Sequence, residues 1–98
     1  MNAYLILDIE IHDLNVFQVY ASKIPAFVKK HSGCYVVLGG EAEAIEGNWK
    51  PQRLVVIEFP SKENAQEFLK DPDAQPIFAI RHKSTTSKVI LVEGCMGS

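Results

Sequence analysis

The sequence predicts an α+β fold in which strands and helical segments follow as strand, helix, strand, strand, helix, strand. Three observations predict it. The runs Tyr4-Leu5-Ile6-Leu7, Tyr35-Val36-Val37-Leu38, Leu54-Val55-Val56-Ile57 and Val89-Ile90-Leu91-Val92 are apolar at every position. A half-exposed strand would alternate apolar and polar residues, so each run is expected to be buried on both faces. The stretches between them hold about two helical segments, enough to cover one face of a four-stranded sheet. The other face then needs a partner, and a second copy of the chain is the simplest one.

The first strand runs from Ala3 to about Ile11. Asp13 stands where an N-cap would accept hydrogen bonds from free backbone amides. Val16, Val19, Tyr20, Lys23, Ile24, Phe27 and Val28 follow, and apart from the lysine their three-and-four spacing is one stripe of an amphipathic helix. Pro25 removes one hydrogen bond inside it, so a kink or break is expected there. Lys29, Lys30 and His31 suit the negative end of the helix dipole, and Gly33 is placed to stop the helix. The second strand is Cys34 to Gly40. Glu41 to Lys50 is polar with a turn at Gly47-Asn48, and Ala42 to Ile45 reads as a strand extension or a short hairpin arm. Gln52 to Phe59 forms the third strand, ended by Pro60. Ser61 caps a second helix with Ala65, Phe68 and Leu69 on its inner face. Asp71-Pro72 reads as a cap and first residue that restart the helix, and with Pro76 the segment divides into two short pieces. The later piece carries Ile77, Phe78, Ile80 and Arg81. Thr86 to Glu93 is the last strand, followed by Gly94 and a short tail.

This order is the ferredoxin-like split βαβ sandwich. Applying the right-handed crossover rule, the first and third strands are expected side by side and parallel. With helices on one face only, two such sandwiches pair their free sheets into a dimeric α/β barrel. The 98 residues are read as a single domain of this kind. A chain this short buries roughly 60–70% of the surface its unfolded form exposes, so covering a sheet face matters energetically. Several hundred Å² of apolar contact at roughly 25 cal/mol per Å² is on the order of 10 kcal/mol before association costs.

The net charge of −2 and the scatter of basic residues argue against nucleic acid as a partner. Tyr4 to Ile11 is too short to span a membrane and carries Asp8 and Glu10; it also lacks the basic flank of a secretory signal. A cytoplasmic protein is expected. Cys34 and Cys95 share no metal-ligand spacing with each other or with the histidines, so no metal site is expected. They fall on opposite edge strands, too far apart for a disulfide, and are expected reduced, one buried and one near the C-terminus.

Six residues are candidates for a pocket. Asp8 and Glu58 interrupt apolar runs late in two strands expected to be parallel neighbours. Both would then meet at one end of the sheet, where crowding raises carboxyl pKa values and allows acid and base roles. The alternative is that each is paired with a cation or reaches water. Arg53 could hold an anion through its planar fork, or pair with Glu46 or Glu58. Trp49 could cover a pocket or pack across a dimer interface. Tyr35 could donate a hydrogen bond in the cavity, or place its hydroxyl in water. His82, at a helix end, approaches the same region, whereas His12 and His31 are expected to be solvated. Gly39-Gly40 ends a strand with no helix after it, so it is no phosphate loop. No nucleophile triad is recognisable, and no cofactor is expected.

Gly39-Gly40, Glu46-Gly47-Asn48-Trp49-Lys50-Pro51, Arg53 and Val55-Val56-Ile57-Glu58-Phe59-Pro60-Ser61 resemble the family known as domain of unknown function 1330. Ala65, Asp71-Pro72, Gln75, Arg81 and Val92-Glu93-Gly94 extend the resemblance over nearly the whole chain. It implies the dimeric α/β barrel and no particular activity. Basic residues common in the family's second strand are replaced here by Cys34 and Leu38. A common Ser-Pro-Glu-Tyr-Gln segment reads Asp71-Pro72-Asp73-Ala74-Gln75. A ligand served by those residues elsewhere has no such partners in this chain.

Two functions are therefore expected to compete. One is a small-molecule site between sheet and helices, for which the resemblance to dimeric α/β barrel proteins implies cofactor-free chemistry such as isomerisation, cyclisation or oxidation by oxygen. The other is a non-catalytic dimeric binding or stress-associated protein. In both, the chain's partner is itself, as a homodimer or higher oligomer. Whether it is an enzyme is left open, and an enclosed cavity with convergent polar groups is what separates the two.

Overall fold

The computed structural model describes residues 1–95. The elements are β1 (Ala3–Ile11), α1 (Leu14–Lys30), β2 (Cys34–Gly40), β3 (Arg53–Phe59), α2 (Lys62–Lys70), α3 (Gln75–Ser84) and β4 (Thr85–Glu93). The part of the expected tail from Met96 onward lies outside the described residues.

The strands form one sheet in the order β2-β3-β1-β4, the ferredoxin-like arrangement. Every neighbouring pair is antiparallel, which corrects the expected parallel pairing of β1 with β3. The crossover through α1 makes β2 parallel to β1, but those strands are not neighbours. β3 follows β2 by a hairpin connection, so it runs back between them. Ile6 faces Val56, Tyr4 faces Glu58 and Asp8 faces Leu54 across the β1–β3 ladder. Pairing of β2 with β3 slips twice, between Tyr35 and Val37 and between Leu38 and Gly40.

Alternation divides the sheet cleanly. Ala3, Leu5, Leu7 and Ile9 are buried with Val55, Ile57 and Phe59 against the helices. They pack with Phe17, Tyr20, Ile24 and Val28 of α1, with Ala65 and Phe68 of α2, and with Phe78 of α3. Phe68 is the hub of the α2 side, in ring contact with Phe59 and Phe78. On the opposite face Tyr4, Ile6, Val56, Ile90 and Val92 have no helix over them, and Ile90 is 59% exposed.

Both expected caps form: Asp13 accepts from Val16 N, and Ser61 from Asn64 N. Several local expectations are corrected. α1 runs unbroken through Pro25, because the packing of Tyr20, Ile24 and Val28 outweighs one lost hydrogen bond. Ser32, not Gly33, takes the left-handed turn after α1, at φ 65°. Gly33 is needed for space, since a Cβ there would lie 2.7 Å from the Phe59 ring. Ala42 to Ile45 forms no strand. Asp71 closes α2 instead of starting a helix, and α3 begins at Gln75 with Pro76 in its first turn. Leu69 is 37% exposed, turned off the inner stripe that Ala65 and Phe68 occupy. Cys34 is exposed because it lies on the helix-free face opposite Glu58, and it forms no disulfide with Cys95.

Candidate functional site

One cavity, partly open to solvent, lies between α1 and the core face of the sheet. α1 contributes Phe17, Tyr20, Ala21, Ile24 and Pro25, and β1, β2 and β3 supply the floor. The cavity measures about 90 Å³. The small Ala21 lines it from the helix, and Leu38, at the slipped end of β2 and 58% exposed, lines it from the sheet. Pro25 and Leu38 are the most exposed of the lining residues, so they mark its mouth.

Its polar lining is Tyr20, Tyr35 and Arg53. Burial pushes the Tyr35 phenol up to about 12, with Tyr20 nearby adding to the effect and Arg53 opposing it. Burial also raises Tyr20, opposed by the charge and hydrogen bonding of Arg81. Both phenols therefore stay protonated at neutral pH and are available as donors. The Arg53 guanidinium sits 5.6 Å from the Phe17 ring centroid. It lies against Gly39, where φ is 70° and any Cβ would collide with it. Gly39 thus gives the arginine its place, both by turning the strand and by lacking a side chain. The Arg53 Nε is buried without a hydrogen-bond partner. Among the described residues no carboxylate pairs with Arg53, so the expected bridge to Glu46 or Glu58 does not form.

Behind Tyr20 lies Arg81, 9% exposed, its guanidinium 5.8 Å from the Tyr20 ring centroid and 5.9 Å from that of Phe78. Its Nε is also buried and unpartnered, while an Nη contacts the His82 Nε2 at 3.1 Å. Tyr20 and Arg81 were legible only as members of helix stripes. The available signal was a cation three positions after Phe78 on the inner face of α3.

Of the six sequence candidates, Tyr35 and Arg53 line this cavity and the other four do not. Asp8 and Glu58 share the helix-free face but sit at opposite ends of it. Asp8 is opposite Leu54 and Glu58 opposite Tyr4, four residues along β1, or roughly 14 Å at the rise of a strand. The antiparallel pairing separates them, so they form no acid–base pair. Asp8 accepts a 2.8 Å hydrogen bond from Trp49 Nε1, and Glu58 accepts one of 2.9 Å from the Tyr4 hydroxyl. The Glu58 hydrogen bond raises the Tyr4 phenol above its ordinary value. Trp49, 60% exposed, lies beside Ile6, Asp8, Lys88 and Ile90 on the free face. His82 is on the outer side of α3.

His31 also departs from expectation. It is largely buried, its Nε2 is 2.8 Å from Asp71 Oδ2, and Lys30 Nζ lies at the same distance from that oxygen. These hydrogen bonds hold the Asp71 carboxyl well below the usual carboxylate range. Among the described residues no three His, Cys, Asp or Glu side chains gather as metal ligands. Among the described residues no helix is long and apolar enough to cross a membrane.

A family model described as domain of unknown function (DUF1330) matches residues 2–95. Comparison with curated proteins finds no match. Among solved structures, the chain resembles RPA0582, a protein of unknown function from Rhodopseudomonas palustris. The TM-score is 0.80 at 13% identity, over 96% of this chain and 82% of that one. It also resembles SnoaB, a cofactor-independent oxygenase from Streptomyces nogalater, with TM-score 0.66 and 15% identity over 99% and 98% of the two chains. The de novo designed protein Foldit4 is similar too, with TM-score 0.60 and 15% identity over 97% and 100%. At these identities the likeness is one of fold, and a designed protein shares it.

Proposed function

The chain belongs to the DUF1330 family, and from that premise we propose that it binds a small organic molecule in the cavity between α1 and the sheet, as a homodimer in the cytoplasm. One observation carries the reading: an apolar cavity whose polar lining is Tyr20, Tyr35 and Arg53, the last with a buried Nε that has no hydrogen-bond partner. Few, well-placed polar groups in an apolar concavity are what orient a small ligand. The measured space is small for a ligand site, and the outward-leaning Leu38 is the side chain that would yield to enlarge it. Turnover without a cofactor is the chemistry suggested by the likeness to SnoaB, and fold alone does not transfer it.

The homodimer reading rests on the helix-free face. Tyr4, Ile6, Val56, Ile90 and Val92 form a contiguous apolar surface of a kind that soluble monomers seldom leave open. A second copy covers it face to face about a two-fold axis.

Native mass spectrometry of protein purified from its own host tests the cavity. We expect a co-purifying small molecule on the wild-type chain and none on Ala21→Phe, which fills the space. An empty wild-type chain, with no fragment from a screen shifting the resonances of Val55 or Tyr35, would remove the reading.

A further inference from the structure

We infer that the occupant of this cavity is an organic monoanion, a short carboxylate or enolate with an apolar body; this rests on the cavity being a ligand site. The lining holds donors and a positive charge but no acidic side chain. Buried cations in folded proteins are ordinarily paired, because an unpaired one forfeits its hydration without return. Here Arg53, half-buried, and Arg81, buried, flank Tyr35 and Tyr20, and the Nε of each is buried without a hydrogen-bond partner.

The chain's carboxylates are engaged or located elsewhere. Asp71 serves Lys30 and His31, Asp8 serves Trp49, Glu58 serves Tyr4, and Asp13 caps α1. Glu10, Glu41, Glu43, Glu46, Glu63, Glu67, Asp73 and Glu93 are exposed, and none of them pairs with Arg53 or Arg81. No carboxylate of the described residues serves Arg53, and in this proposal the ligand supplies the acceptor. Arg53 meets it directly, as a fork that matches two oxygens, and Tyr35 and Tyr20 donate beside it. Arg81 acts through Tyr20 as a positioning residue, holding the phenol against the cavity and adding charge from behind.

The apolar remainder sets the other end of the ligand. Leu7, Phe17, Ile24 and Val55 offer no polar contact, and a space of about 90 Å³ corresponds to roughly three water volumes. That is the size of a short aliphatic acid. Larger anions require Leu38 to swing from the mouth.

Butanoate and butanamide have the same shape and differ in charge. Titrated into the wild-type protein and followed by the Arg53 Nε–H and Val55 methyl resonances, butanoate should bind at least about tenfold more tightly than butanamide. Arg53→Met should bring the two within about twofold of each other, and Arg53→Lys should restore part of the preference. Equal binding of acid and amide to the wild-type protein, or a preference that survives in Arg53→Met, overturns the anion assignment while leaving the cavity a ligand site. Failure of both probes to perturb either resonance overturns the assignment together with the cavity reading beneath it.

Discussion

Two residues with left-handed backbone have opposite consequences for the fold. Ser32 adopts φ 65° in the turn after α1, where a glycine would sit without strain. Ser32→Gly should therefore stabilise the chain, by up to about 1 kcal/mol after the added freedom of its unfolded form is subtracted. Gly39, at φ 70°, has no such latitude, because a side chain there would strain the backbone and strike the Arg53 guanidinium. Gly39→Ala should cost about 1–2 kcal/mol and move Arg53 out of the cavity. Chemical denaturation of both variants reads the energies, and the Arg53 Nε–H resonance reads the displacement. An unshifted resonance in a folded Gly39→Ala protein would show that the glycine does not place the arginine. Neither role could be read from the chain. Glycine at 33 suggested a helix stop because composition marks a breaker but not which neighbour carries the positive φ. Gly39 owes its role to a side chain fourteen positions later in another strand.

At the scale of elements, the corner between α1 and α2 is a salt-bridged joint. Asp71 caps the end of α2, accepts from Lys30 and His31 at the end of α1, and accepts from its own Asp73 N. Its folded-state pKa is depressed below the ordinary 3.8, so the stabilisation it brings is fully present above that value. It is lost as pH falls through the lower folded value. Thermal unfolding between neutral pH and strong acid should show wild-type stability falling steeply below about pH 4. Asp71→Asn should be less stable at neutral pH and should show a shallower acid decline. Parallel curves for the two proteins would mean that another carboxylate governs acid unfolding. The joint was hidden in the sequence, since positions 30, 31 and 71 meet only through tertiary packing. The elements themselves were legible, because doubly apolar runs and the capping residues Asp13 and Ser61 act locally. Strand direction was not, and that single inversion misplaced Asp8 and Glu58, whereas Tyr35 and Arg53 both line the cavity under α1.

For the whole molecule, the decisive surface is the helix-free face. Val56 lies near its centre, paired with Ile6. Under the dimer proposal, Val56→Asp buries an unpaired charge at the interface and should dissociate the assembly or prevent its folding. Sedimentation at micromolar concentration checks this. A wild-type monomer with concentration-independent melting, or a well-folded dimeric variant, would remove the interface from that face. The borders of the same sheet differ from each other, and this bears on how the chain behaves when crowded. An edge strand is a template for another chain, and irregular pairing is a recognised way to spoil it. The two slips in β2 break its backbone rhythm, so a strand laid along Tyr35 to Leu38 meets mismatched donors and acceptors. β4 pairs with β1 in unbroken register from Thr85 to Glu93 and has no such interruption. Its charges are confined to Lys88 and Glu93, which flank the apolar run as gatekeepers against stacking. The two sides of the molecule thus differ in their resistance to aggregation, and ribbon-like growth from partly unfolded copies would start along Val89 to Val92.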